Sequence, residues 1–81
     1  MDKNEILNSD CDVRISVAEN PSTPADVLTE LAKDSDYIVR CFVARNPNTP
    51  AGVLTELAKD IKWCVRRNAA GNPKFKEVFN R

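Results

Sequence analysis

Residues 13–38 (VRISVAENPSTPADVLTELAKDSDYI) and 39–64 (VRCFVARNPNTPAGVLTELAKDIKWC) align without a gap and are identical at 17 of 26 positions. A fixed period of this length constrains the fold more tightly than any bulk property. It marks a supersecondary unit that cannot bury its apolar face alone and takes the next copy as packing partner. A third copy starts at Val65-Arg66, passes through Ala69-Ala70 and Asn72-Pro73, and degenerates into KFKEVFNR. Before Val13, ILNSDCD echoes the end of a unit, with Ser9-Asp10 in step with Ser35-Asp36. The expected organisation is one solenoid domain over residues 1–81: an N-terminal partial repeat at 1–12, full repeats at 13–38 and 39–64, and a degenerate C-terminal repeat or cap at 65–81. Eighty-one residues of 42% apolar content allow one small core at most.

Each unit reads as two helices. Thr23-Pro24-Ala25-Asp26 has the chemistry of a helix start: a hydroxyl to accept from the first free amides, a proline at the first helical position and an acid at the positive end of the dipole. Thr49-Pro50-Ala51-Gly52 repeats it without the acid. Val27, Leu28, Leu31 and Ala32, and their counterparts Val53, Leu54, Leu57 and Ala58, make one apolar stripe per helix, predicting about three helical turns. Asp34-Ser35-Asp36 then offers capping oxygens, and Ile38, Val39, Phe42 and Val43 line up before Asn46-Pro47 stops the run. The fold class expected is all-α, a short α-solenoid of stacked two-helix repeats of 26 residues, the second helix α or 3₁₀.

The signature VRxxVAxNPxTPxxVLxxLAxD, at Val13–Asp34 and again at Val39–Asp60, resembles the leucine-rich repeat variant family, a relative of HEAT repeats. The resemblance covers roughly residues 5–73 and implies a right-handed superhelix in which an α-helix alternates with a second, shorter helix, α or 3₁₀. Some family members carry an N-terminal cysteine cluster that holds an iron–sulfur centre. Here only Cys11 precedes the repeats, and one thiolate cannot hold a four-cysteine cluster, so no cofactor is expected.

The resemblance to HEAT repeats also implies that aspartates and arginines tie neighbouring units together. Arg14, Arg40 and Arg66 form a column, each six residues after a polar residue, Asn8, Asp34 and Asp60. Because the partner position six residues before Arg14 is Asn8 and not an aspartate, replacing Arg14 is expected to cost less than truncating the buried leucines. Read functionally, the same column could grip phosphates spaced along a nucleic acid. The column Asn20, Asn46 and Asn72, each followed by proline, is read as a turn in which the amide serves local backbone groups.

No catalytic constellation is present. The chain has no histidine, no glycine-rich phosphate loop and no nucleophile with an evident partner, so a non-enzymatic role is expected. Cys11, Cys41 and Cys64 form no CxxC pair, and no zinc site can be assembled from them. No run approaches the ~20 apolar residues of a membrane span, and the N-terminus lacks the apolar stretch of a secretory signal. A cytoplasmic protein with reduced thiols and no membrane partner is expected.

The formal charge of zero hides a polarity. Residues 1–38 hold nine acids against three bases, and residues 39–81 nine bases against three acids, which gives −6 and +6. The two copies differ most around the column Cys11, Tyr37, Trp63 and after Asp60, where Ser35-Asp36-Tyr37 is replaced by Ile61-Lys62-Trp63. Lys62, Trp63, Arg66, Arg67, Lys74 and Lys76 combine an aromatic with several cations and form the candidate partner-binding set. The competing structural assignment makes Trp63 a hydrophobic lid on the stack, helped by Phe75, Val78 and Phe79. The function expected is a protein-interaction or scaffold module, with nucleic-acid binding through the basic half as the alternative and head-to-tail self-association as a consequence of the charge polarity.

Overall fold

The computed structural model describes residues 2–75. Among them are six α-helices and no strand: α1 (Lys3–Leu7), α2 (Cys11–Glu19), α3 (Ala25–Leu31), α4 (Tyr37–Arg45), α5 (Ala51–Leu57) and α6 (Trp63–Gly71). Residues 73–75 are also helical. The most extensive contacts are those of α2 with α4 and of α4 with α6, so these three helices form a continuous layer. Helices α3 and α5 each connect one member of the layer to the next and pack beside it. Repetition along one direction makes the molecule elongated, 38 × 23 × 15 Å.

The prolines and asparagines set where each helix begins and ends. Asn20, Asn46 and Asn72 adopt extended backbone, with ψ of 119°, 128° and 129°, and close α2, α4 and α6 just before a proline. Pro24 and Pro50 are the N-caps of α3 and α5, so each helix starts one residue later than expected, and neither cap makes a side-chain hydrogen bond. Thr23 and Thr49 do not cap these helices as anticipated. Their hydroxyls donate backward, Thr23 to the Val17 carbonyl at 2.6 Å and Thr49 to the Val43 carbonyl at 2.7 Å. Both threonines are buried, and each fastens the start of one helix to the last turn of the helix before it.

The stripe leucines are where the spacing puts them: Leu28, Leu31 and Leu54 are fully buried and Leu57 nearly so. Val39, Val43 and Val65 from the layer complete the core, and fully buried Ala18, Ala44 and Ala69 allow close approach of successive helices. Two expectations change. Helices α3 and α5 span seven residues, about two turns, not three. The second helix of the unit is α, and at nine residues it is the longer one. Asp36 caps it, its carboxylate accepting from the Ile38 amide at 2.9 Å, while the Asp34 carboxylate accepts from the Asp36 amide. Ile38 stays 40% exposed, outside the apolar line it was assigned to.

Candidate interaction surface at the start of α4 and α6

The arginine column is structural in two of its three members, but its pairing runs forward. Arg14 Nε donates to Asp34 at 2.7 Å and Arg40 Nε to Asp60 at 2.7 Å, and each Nη2 reaches the second carboxylate oxygen. Residue i−6 contributes only a carbonyl: Arg40 Nη1 donates to Asp34 O at 2.8 Å and Arg66 Nη1 to Asp60 O at 2.6 Å. Arg14 therefore has a full carboxylate partner, which reverses the expectation that its partner position is Asn8 and not an aspartate. Arg66 is the exposed member, and among the described residues it forms no ion pair. The pairing with Arg40 holds the Asp60 carboxyl below the usual carboxylate range.

The asparagines reach across units as well as serving their own turns. Asn46 Nδ2 donates to Ala18 O at 2.8 Å and Asn20 O at 2.9 Å, and Asn72 Nδ2 donates to Ala44 O and Asn46 O at 2.9 and 3.0 Å. Their Oδ1 atoms accept from the amides of Asn48 and Lys74. The second role left no mark beyond the repetition itself, because the carbonyls it satisfies lie 26 to 28 residues earlier.

Position 37 is the first residue of α4 and position 63 the first of α6, so the helix layer sets Tyr37 and Trp63 side by side along its edge. Trp63 is 62% exposed and Ile61 87%, which removes the assignment of Trp63 as a lid. Phe75 does pack against the core, while Val78 and Phe79 lie outside the described residues. The Lys62 ammonium stands 5.0 Å from the Tyr37 ring centroid, and the Arg67 guanidinium, one helical turn beyond Trp63, stands 5.8 Å from the indole. The result is an exposed strip of aromatic faces interleaved with cations. Lys62, Arg66 and Arg67 form no ion pair among the described residues.

Of the candidate set, Lys62, Trp63, Arg66 and Arg67 come together at this edge. Lys74 does not. It follows the far end of α6, about 13 Å along the helix axis, where its amide serves Asn72. Lys76 lies outside the described residues. Tyr37 and Ile61 join the strip, and the signal for both was the divergence of the two copies at these positions.

The cysteines do not converge. The Cys11 thiol donates to Asp36 at 2.7 Å, a bond that raises the thiol pKa and lowers that of the acid, while Cys41 meets Cys64 across the α4–α6 contact. Among the described residues no three Cys, Asp or Glu side chains are placed to hold a metal ion, so the thiols present do not fit a cluster site. No helix is long and apolar enough to cross a membrane. An open groove of about 450 Å³ runs between α3 and α5 over Ala32, Val53 and Leu57. Thr29, Lys33, Glu56 and Asp60 complete its lining.

The sequence profile described as leucine rich repeat variant matches residues 12–36 and 38–60. No curated protein and no solved structure matches the chain.

Proposed function

Since the chain belongs to the leucine-rich repeat variant family, whose structural repeats generally serve as interaction and scaffold modules, we propose that it is a non-enzymatic docking module that binds another protein through the Tyr37–Trp63 strip. The observation that carries this reading is the exposure of Trp63 beside cations that have no acidic partner within the described residues. Exposed aromatics and arginines are the groups from which interface hot spots are built, and burying them against carboxylates releases water from both. The partner segment is therefore acidic with an apolar component. Nucleic acid is the weaker reading, because the acidic first half of the chain repels phosphates and several cations of the second half are not at the strip. Arg40 is spent on Asp60, Arg45 lies over Phe42 and Lys74 is remote from the strip.

Trp63 is the single tryptophan, so its emission reports directly on the strip. Titration with an acidic, aromatic-containing peptide at physiological salt should shift that emission to the blue, and Arg67→Glu should abolish the shift. Random single-stranded DNA should produce a response at low salt that disappears at physiological salt. A DNA response that survives physiological salt while the peptide gives none would overturn the protein-docking reading.

A further inference from the structure

The two outer faces of the helix layer, that of α2 turned away from α4 and that of α6 turned away from α4, are complementary to each other. Within the layer, every joint uses the same positions. On the receiving helix these are Val39, Val43 and Asn46 in α4, all fully or almost fully buried by α2. Their equivalents on α2, Val13, Val17 and Asn20, are respectively half-buried, half-buried and exposed, and with Asp12 and Ser16 they line an open slot of about 330 Å³. On the presenting helix, Ala18 and Ala44 are fully buried by the next helix, whereas their equivalent Ala70 on α6 is exposed. The slot and the exposed face are thus the two halves of one joint already made twice inside the molecule.

The side chains that differ between copies agree with this. In the α4–α6 joint, Cys41 lies beside Cys64 and accepts from Asn68 Nδ2 at 3.0 Å. A shift of one period turns Cys41 into Arg67, and a shift of two periods back turns Cys64 and Asn68 into Asp12 and Ser16. A thiol pair inside the stack thus corresponds to a guanidinium and a carboxylate on the two outer faces. Likewise, Cys11 meets Asp36, 25 residues on, and Tyr37 meets Lys62 by the same step. Applied to Trp63 across the new joint, that step arrives at Asp10 of the following molecule. Asn20, whose Nδ2 reaches no earlier carbonyl among the described residues, takes the place from which Asn46 and Asn72 clamp the preceding helix, and the Ala70 and Asn72 carbonyls take the place of its acceptors.

We propose that a second copy of this chain docks head to tail, its α2 face on the α6 face of the first, with Asp10 and Asp12 of one molecule against Trp63 and Arg67 of the other. This rests on the reading of the α6 edge as a docking surface and names its occupant. The contact is heterologous, so it propagates into open chains instead of closing as a dimer. The charge polarity of −6 and +6 along the sequence favours the same polarity of stacking at long range.

Sedimentation velocity over a concentration series at low salt tests it. The unmodified chain should show an average mass that rises with concentration and falls as salt is added. Arg67→Glu and Asp12→Lys should each weaken association by about tenfold or more, because each places like charges across the joint. An equimolar mixture of the two variants should regain association, since the carboxylate introduced on the α6 face of one meets the ammonium introduced on the α2 face of the other, and circular dichroism should show unchanged helix in both. A monomer at all concentrations in low salt, or association indifferent to either reversal, or a mixture that stays monomeric, would overturn the stacking. Trp63 emission separates the two readings. Response to the acidic peptide by a strictly monomeric chain removes only the self-stacking, whereas no response to either peptide or concentration removes the docking surface itself.

Discussion

Arg40 and Arg66 occupy the same place in the period and differ in what surrounds them. Arg40 holds both oxygens of Asp60, with side chains only 14% and 11% exposed, and also the Asp34 carbonyl. Among the described residues, Arg66 holds a carbonyl alone. Arg40→Ala leaves a largely buried carboxylate unpaired and should lower stability by about 2 kcal/mol. Arg66→Ala should change it by less than about 0.5 kcal/mol. Urea unfolding midpoints give the ranking, and equal losses would mean that the forward pairing contributes nothing. The same pair sets an acid limit. The Asp60 pKa is lower in the folded chain than in the unfolded one, so the stabilisation is complete above the unfolded value of about 4 and drains away as pH falls through the folded value. Melting temperature should decline on that acid side. Asp60→Asn should start lower and decline less, with Asp36, whose pKa is also lowered, accounting for part of the remaining slope.

Helices α3 and α5 share six of seven residues and differ at Asp26 against Gly52. Gly52 is exposed in the first turn of α5, and a Cβ there would meet nothing within 4 Å. Gly52→Ala should therefore stabilise by about 0.5–1 kcal/mol, through helix propensity and a less flexible unfolded chain. Leu54→Ala, two residues on and fully buried, should cost about 2–5 kcal/mol and unfold much of so small a domain. Thermal melts of the two variants should move in opposite directions, and a Leu54→Ala protein melting like the parent would mean that α5 does not carry the core. The leucine stripe was legible because its spacing alone settles which face is buried. The direction of the arginine pairing was not. Asp34 and Asp60 stand one period apart, so the residue six before Arg40 and the residue twenty after it belong to the same column, and the sequence pattern cannot choose between them. The threonines misled for a related reason: Thr-Pro before a helix satisfies the capping rule, but the Val17 and Val43 carbonyls at the preceding helix end, each with only the closing asparagine's amide as backbone partner, compete for the same hydroxyls. The Trp63 strip was located by the difference between copies, whereas Lys74 was included on sequence proximity and is separated from the strip by the length of α6.

At the scale of the molecule, stability is a sum of unit terms and joint terms, since among the described residues the extensive contacts join near neighbours in the stack. Each internal joint brings the same set: buried valines and alanine, an asparagine clamp on two carbonyls and an arginine–aspartate pair. Inserting a further copy of residues 39–64 after residue 64 would preserve every one of these contacts. Arg40 and Asp60 recur together within the inserted segment, Cys41 again meets Cys64, and the inserted Asn46 finds the Ala44 and Asn46 carbonyls that Asn72 now occupies. The lengthened chain gains one complete joint for the conformational cost of one more unit, and in a linear stack that exchange is favourable once two joints already hold. Its melting temperature should rise by at least about 5 °C, the shift expected for roughly 1 kcal/mol in a domain of this size, and its urea dependence should steepen as more surface is exposed on unfolding. A melting temperature that stays put, or a second transition at the position of the first, would mean that neighbouring units do not stabilise one another, and that the repeated phrase in the sequence records a duplication without energetic coupling.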